Sequence, residues 1–303
     1  MLAVVGTIPI KAFPLVTGTV TLAEDSIRID GKKTGVNRGT PALLAAACMT
    51  SEALGEPLPF AYLVGDIGRG DGSRRLYAHV NEHIAKTDFA ALAFHYVQPD
   101  VGWHDRILST IKALPYQPLL IADAGYMYAA KMSGQSAAYD LFTPDIGELA
   151  FLADESAPHP FYTRGFILHE ENHVPDLIAR AYTHANAARY MLVKGVCDHL
   201  ADAQGIMATI DNPSEEALEA IGGTGDTLTG IVAALVAFGM DIGKAAVIAA
   251  RVNRWAGHYA RPNPATQVMD IIRHIPRALE EILHEEEDHL GTESKRVTGE
   301  GHP

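Results

Sequence analysis

The chain has 303 residues, 48% of them hydrophobic and 20% charged, with a formal net charge of −13. That composition supports an ample core in one large or two small domains, and the acidic balance argues against a nucleic-acid partner. No apolar run approaches the ~18 residues of a membrane span, so no membrane partner is expected. No basic segment precedes an apolar one near Met1, so no secretory signal is expected. Cys48 and Cys197 lie in apolar surroundings and read as core thiols of a cytoplasmic protein.

In chain order, Leu2 to Ile10 reads as a buried strand. Val16 to Leu22 with Ser26 to Ile29 reads as a hairpin turning at Glu24-Asp25. That hairpin, within residues 15–30, is either an ordinary sheet margin or a candidate lid or homodimer contact. Thr40 is placed to cap a helix with Pro41 in its first turn and Gly55 at its exit; Leu44, Ala47 and Cys48 face the core. Phe60 to Val64 is a short strand running into Gly65-Asp66-Ile67-Gly68, a glycine-rich turn where open α/β sheets place ligands. A helix from Ser73 to Ile84, a strand from Phe89 to Tyr96, a helix from Val101 to Leu114 and a strand from Pro118 to Ala122 follow, the last ending at Asp123.

Tyr139 to Phe142 leads into Thr143-Pro144-Asp145-Ile146-Gly147-Glu148, a second strand-to-helix junction. Asp154 to His173 reads as an excursion over the surface, Val174 to Ala188 as a helix, and Tyr190 to Val193 as a strand before Lys194-Gly195. His199 to Ala201 and Gly205 to Ile210 form a hairpin, and helices are expected after Gly225, from about Asp241 to Tyr259, and from Pro276 to Asp288. Residues 289–303 lack apolar periodicity and read as a disordered tail. The alternation of strands and helices predicts one α/β domain over 1–288, with a largely parallel sheet covered by helices on both faces. The carboxyl ends of such strands share one edge, so Asp66, Asp123, Asp145 and Glu148 are expected to converge there with Asp226.

The stretch Ile221 to Gly230 organises the chain. Gly222, Gly223 and Gly225 allow close backbone approach, and Leu228, Ile231, Val232 and Leu235 then follow at helical spacing. A helix start preceded by glycines presents free N–H groups to an anion such as phosphate. Asp226 at that same end suits a base that takes a proton from an attacking hydroxyl. Glycine, Asp and Thr are also ordinary residues of turns and first helical turns, so the stretch alone leaves a plain helix start open. There is no Gly-x4-Gly-Lys-Ser/Thr loop, and Leu228 stands where a dinucleotide fingerprint needs glycine.

These residues resemble the ribokinase-like superfamily of sugar, nucleoside and vitamin kinases over Gly35 to Gly257. Gly223-Thr224-Gly225-Asp226 looks like its Gly-Ala/Ser-Gly-Asp signature. Thr143-Pro144-Asp145-Ile146-Gly147-Glu148 is similar to its Thr-Pro-Asn-x-x-Glu, with Asp145 in place of the usual Asn. Gly35 to Gly55 followed by Val64 to Gly68 looks like its substrate-side segment. The resemblance implies a three-layer α/β/α fold with a small N-terminal hairpin. It implies an anion hole from Gly223, Thr224 and Gly225, Asp226 as catalytic base, and Glu148 and Asp145 helping to place Mg²⁺, largely through water. Lys194, Gly195, Gly222 and Thr143 are then expected on the side of the ATP or ADP. Asn37, Gly39, Gly65, Asp66 and Asp123 are expected beside the acceptor, a small molecule carrying a hydroxyl.

Two branches of the superfamily compete. Ala122-Asp123-Ala124, Val193-Lys194-Gly195 and the double glycine before Thr224 resemble the NAD(P)H-hydrate dehydratase branch, which phosphorylates the hydroxyl of damaged NAD(P)H and then loses phosphate. Asn37-Arg38-Gly39-Thr40 and the early hairpin look more like sugar kinases. The leading expectation is ATP- and Mg²⁺-dependent phosphoryl transfer to a sugar, nucleoside or related molecule, with the dehydratase as alternative. A nucleotide-binding regulator without catalysis is a third reading, against which Asp226 counts. The 14 histidines offer no zinc-like set; His169 with His173 and His284 with His289 read as solvated pairs.

Overall fold

A computed structural model describes residues 1–154 and 173–298. The strands are β1 (Leu2–Ile8), β2 (Val16–Thr19), β3 (Thr21–Ala23), β4 (Ser26–Ile29) and β5 (Lys32–Gly35), then α1 (Thr40–Ala53), β6 (Phe60–Gly65), α2 (Asp71–His83) and β7 (Ala91–His95). There follow α3 (Val101–Lys112), β8 (Leu119–Ala122), α4 (Gly125–Met132), β9 (Leu141–Phe142), α5 (Ile146–Ala153), α6 (Val174–Thr183) and β10 (Tyr190–Val193). The chain closes with β11 (Asp198–Asp202), β12 (Gly205–Ile210), α7 (Thr224–Ala237), α8 (Ile242–Tyr259), α9 (Val268–Ile272) and α10 (Ile275–Thr298).

A nine-stranded sheet runs β12-β11-β10-β9-β8-β7-β1-β6-β2. Neighbours from β10 to β6 are parallel, while β11, β12 and β2 are antiparallel edges. The continuous apolar run of β1 is buried at every position, as a strand covered on both faces requires. Side-chain alternation divides it: Leu2, Val4 and Ile8 join a core with α1, α7, α8, α9 and α10, whereas Ala3 and Val5 join a core with α2 to α6. The same parity puts Ala91 and Ala93 on the α1/α7 face and Leu92 and Phe94 on the other. The three-layer α/β/α architecture is the expected one. Among the described residues no helix is long and apolar enough to cross a membrane.

Helices α1 and α7 approach until their backbones touch. A Cβ placed on Gly230 would lie 2.2 Å from the carbonyl oxygen of Leu43, so only glycine fits there. The contact pins the N-terminus of α7 over the carboxyl ends of the strands.

Several elements differ from expectation. The stretch Val16 to Leu22 is not one arm of a hairpin. Val16–Thr19 pairs with β6, whose outer edge would otherwise be open, and Thr21–Ala23 pairs with β4 around the expected Glu24-Asp25 turn. With β5 this makes a three-stranded antiparallel sheet rather than a two-stranded hairpin. Helix α4 is short and has Tyr126, Met127, Ala129, Ala130 and Lys131 all buried, so no amphipathic stripe announces it. The helix expected from Val174 ends at Thr183, and α10 continues to Thr298, past the point where disorder is expected. Residues 155–172 of the expected surface excursion, with His169, and the tail residues 299–303 lie outside the described residues.

Candidate active site

The polar residues that end or follow β7, β8, β9 and β10 inherit one parity. His95, Asp123, Thr143 and Lys194 therefore all leave the sheet toward α7, and their hydrogen bonds show that they meet there. Asp226, in the first turn of α7, is the centre of this row and is 8% exposed. Gly39 N–H donates to Asp226 Oδ2 at 2.6 Å, and His95 Nε2 lies 3.1 Å from Oδ1. Burial pushes the Asp226 carboxyl up, but His95, Lys194 and the Gly39 N–H together outweigh it and hold the group below the usual carboxylate range.

Gly39 reaches this position because it is the N-cap of α1 at φ 66° and ψ −150°, a conformation that glycine adopts readily. Thr40, expected to cap, is instead the first helical residue. Its hydroxyl turns inward to Thr7 O at 2.8 Å and His95 Nδ1 at 2.9 Å. Gly6 makes room for it, since a Cβ there would stand 2.5 Å from Thr40 Cγ2.

Asp123 is 2% exposed and fully engaged. Lys194 Nζ donates to both of its oxygens at 2.9 Å, Thr229 Oγ1 lies 2.7 Å from Oδ2, and the Ala124 N–H donates to Oδ1 at 2.8 Å. The residue expected beside the acceptor is thus the counter-ion of Lys194. Burial would lower the Lys194 ammonium, but Asp123 and Glu148 raise it well above its ordinary value, so it stays charged. A Cβ on Gly225 would lie 3.7 Å from Lys194 Nζ, which puts that charge against the glycine loop.

Gly223 sits at φ 106° as the N-cap of α7, so the N–H groups of Thr224 and Gly225 begin the helix without intrahelical acceptors. Arg38, not singled out in the sequence, packs on this loop: its Cα would be 3.2 Å from a Cβ on Gly223 and its Cβ 3.8 Å from one on Gly222. Asn253 Nδ2 donates to Thr224 O at 3.1 Å and braces the turn from α8.

Asp145 and Glu148 form a capping box at the start of α5. Glu148 N–H donates to Asp145 Oδ1 at 2.7 Å and Asp145 N–H to Glu148 Oε2 at 2.9 Å. Burial and the Asp123 carboxylate push the Glu148 carboxyl up to about 8, with Lys194 offsetting part of the effect. Among the described residues no group of three His, Cys, Asp or Glu side chains converges as a metal cage. The residues present suit an ion held by ligand phosphates and water, with crowded carboxylates at its border.

Five further residues expected at the site, Thr143, Asp66, Gly65, Asn37 and Gly195, lie around this row. Thr143 is fully buried, with its hydroxyl 3.0 Å from that of Thr229, which in turn reaches Asp123. Asp66 accepts from the N–H groups of Gly68, Arg69 and Gly70 at 3.0, 3.0 and 3.1 Å, and from Ser73 N and Oγ at 2.8 and 2.9 Å. Its carboxylate organises its own turn. Gly65 packs against the segment before β2, where a Cβ would lie 2.1 Å from Ile10 O. Asn37 is exposed beside Gly35, and Gly195 is tied down by Asp198 at 3.1 Å and Arg254 at 3.1 Å.

His95 and Tyr96 are residues that sequence reading missed, and Thr40 was read there only as a helix cap. Strand parity was the available signal for His95, because Ala91, Ala93 and His95 share the face that α7 covers. Tyr96 holds φ 54°, an uncommon conformation for a bulky residue, with its ring 4.4 Å from the His95 ring and 41% of the residue exposed at the mouth of the site.

This fold and site define an enzyme of the ribokinase-like superfamily. A ribokinase-like superfamily protein from Enterococcus faecalis aligns with TM-score 0.57 at 14% identity, covering 92% of this chain and 86% of that one. Phosphofructokinase-2 from Escherichia coli aligns with TM-score 0.54 at 13% identity over 92% and 99% of the two chains. The profile of the NAD(P)H-hydrate dehydratase family matches residues 103–277, well over half of the sequence, and the chain belongs to that family. An uncharacterised protein of Methanocaldococcus jannaschii is 41% identical over 80% of this chain and all of its own length. The bifunctional NAD(P)H-hydrate repair enzyme of Hyperthermus butylicus is 40% identical over 34% of this chain and 20% of its own length. That of Pyrobaculum aerophilum is 26% identical over 65% and 38%, so this chain spans well under half of both bifunctional enzymes.

Proposed function

We propose that this chain transfers a phosphoryl group from ATP or ADP to the hydroxyl of hydrated NADH or NADPH, and that inorganic phosphate then leaves to give the dehydrated dinucleotide. The family match favours this order over the one read from sequence, in which a sugar or nucleoside kinase leads. The observation that carries the chemistry is the placement of Asp226. An ionised carboxylate, held by two donors, stands in the first turn of the helix whose free N–H groups form the anion site.

Asp226 takes the hydroxyl proton as the new oxygen–phosphorus bond forms and the bond to the departing nucleotide breaks. The N–H groups of Gly223, Thr224 and Gly225 hold the phosphoryl oxygens, and Lys194 adds positive charge beside Gly225. In the second stage the carbon–oxygen bond breaks with phosphate as leaving group, and a proton departs from the adjacent carbon to restore the double bond. When bound, Mg²⁺ supplies charge shielding between donor phosphates; Glu148 and Asp145 would border it through water. Kinase action without the second stage remains the alternative, favoured by the small sheet β3–β5 that leads into Asn37-Arg38-Gly39. A regulator without catalysis has no use for a clamped carboxylate at this spot.

Thermal stabilisation by ATP and ADP with Mg²⁺, followed by turnover with hydrated NADH and a panel of sugars and nucleosides, tests the proposal. Release of inorganic phosphate only with hydrated NADH supports it. A stable phosphorylated sugar or nucleoside instead supports the kinase. No nucleotide effect at high millimolar concentration removes both.

A further inference from the structure

We propose that His95 is the positioning residue of Asp226: its Nε2–H holds Oδ1 while the Gly39 N–H holds Oδ2, so the carboxylate plane is fixed from two separate elements. The proposal rests on the reading of Asp226 as the base.

The proton inventory at His95 follows from its neighbours. An ionised carboxylate only accepts, so the 3.1 Å contact with Asp226 Oδ1 requires a proton on Nε2. On the other side, Thr40 Oγ1 lies 2.8 Å from Thr7 O and 2.9 Å from Nδ1. A carbonyl also only accepts, so the single hydroxyl proton goes to Thr7 O, and Nδ1–H donates to Thr40 Oγ1. Every contact is then satisfied with a proton on each ring nitrogen. The charged and titratable groups facing the ring are Asp226 from α7, Asp123 at 3.7 Å from the end of β8, and Tyr96 from the following residue. Lys194 lies behind Asp123 and Glu148 borders both.

The clamp has a mechanical purpose. A free carboxylate at the third helical position can reach back to the N–H groups at its own helix start, the return bond of a capping box. Those N–H groups are the ones an incoming phosphoryl group needs. Holding both Asp226 oxygens from α1 and β7 keeps the carboxylate off the anion hole and leaves its remaining lone pairs for the acceptor hydroxyl. His95 is wholly buried, its partner Thr40 is wholly buried, and Gly6 lacks the side chain that would displace Thr40. Such a ring cannot swing away without disturbing the core.

The test has two arms on the full chain. In the first, ¹⁵N-edited spectra of the histidine rings of the wild type, which need no activity, are expected to show protons on both His95 nitrogens, with the Nε2–H resonance displaced by Asp226→Asn. A ring lacking the Nε2 proton overturns the proposal. In the second, His95→Leu is expected to lower kcat about ten- to hundred-fold, the scale of one hydrogen bond to a buried charge, while nucleotide affinity stays within about two-fold. The acid limb of its kcat–pH profile is expected to move to higher pH, because Asp226 loses a partner that favours its ionised form. His95→Gln, which keeps an N–H donor at similar reach, is expected to recover most of both. Unchanged kcat and acid limb in a folded His95→Leu protein overturn the proposal. If His95→Leu does not fold, Thr40→Val, which removes the ring's second anchor, is read in its place. A wild type inactive on every acceptor defeats the base assignment only, and the spectra alone then decide whether His95 holds the carboxylate.

Discussion

Gly39 and Asp226 stand 187 residues apart in the chain and are joined by a 2.6 Å hydrogen bond from backbone to carboxylate. The bond ties the N-cap of one buried helix to the first turn of another, so the turn before α1 and the Asp226 carboxylate are one unit. Asp226→Asn is expected to reduce turnover by about 10²–10⁴-fold while nucleotide binding persists, the usual scale of a lost general base. Steady-state rates beside calorimetric binding check this, and near-normal turnover would remove Asp226 from its role.

Glu148 gives a proton-release prediction. Its carboxyl is pushed up to about 8 by burial and by Asp123. The sign follows: a raised folded value contributes stability that is present below the ordinary 4.5 and is lost as pH rises toward about 8. Mg²⁺ brought in with a nucleotide would favour the ionised form, so binding near neutral pH is expected to expel a proton. Titration calorimetry in buffers of different ionisation enthalpy reads that proton, and Glu148→Gln is expected to abolish it.

Asp66 governs acid sensitivity. Burial raises its carboxyl, but the N–H groups around Ser73 and Gly70 win and hold it below the ordinary 3.8. Its contribution is therefore present above 3.8 and is lost as pH falls through the lowered folded value. Asp66→Asn is expected to destabilise the protein by about 2–4 kcal/mol near neutral pH, from several lost charge-assisted bonds. Denaturant melts are expected to show that gap narrowing as pH falls below the ordinary 3.8.

Lys194 and Asp123 form a nearly buried pair, with side chains 12% and 2% exposed. Removing one partner strands the other's charge, so Lys194→Met is expected to cost about 3–5 kcal/mol. Adding Asp123→Asn is expected to return part of that loss. A double-mutant cycle with no coupling would mean that the two groups do not share their charge in solution.

The architecture was legible in the sequence because buried parallel strands read as apolar runs and the helices between them keep their period. Asp226 and its glycine loop were legible for the same reason, since glycines before a helical period mark a helix start. The roles of Asp66 and Asp123 were not, because a carboxylate at a strand end looks the same whether it faces ligand, lysine or its own turn. The contacts of His95 and Thr40 were not legible for another reason: they join residues 131 and 55 positions apart, respectively, which no local pattern records. Strand parity narrows such searches, as the shared face of His95, Asp123, Thr143 and Lys194 illustrates.

The backbone contact between Gly230 and Leu43 separates what is fixed in this enzyme from what is free to vary. With α1 and α7 locked together, the base and the helix-start N–H groups cannot shift independently. The small sheet β3–β5 lies outside that backbone contact, with Lys32, Lys33 and Gly35 exposed on its last strand. Substitutions on that exposed strand can accumulate over evolutionary time while Asp226 and the start of α7 keep their places.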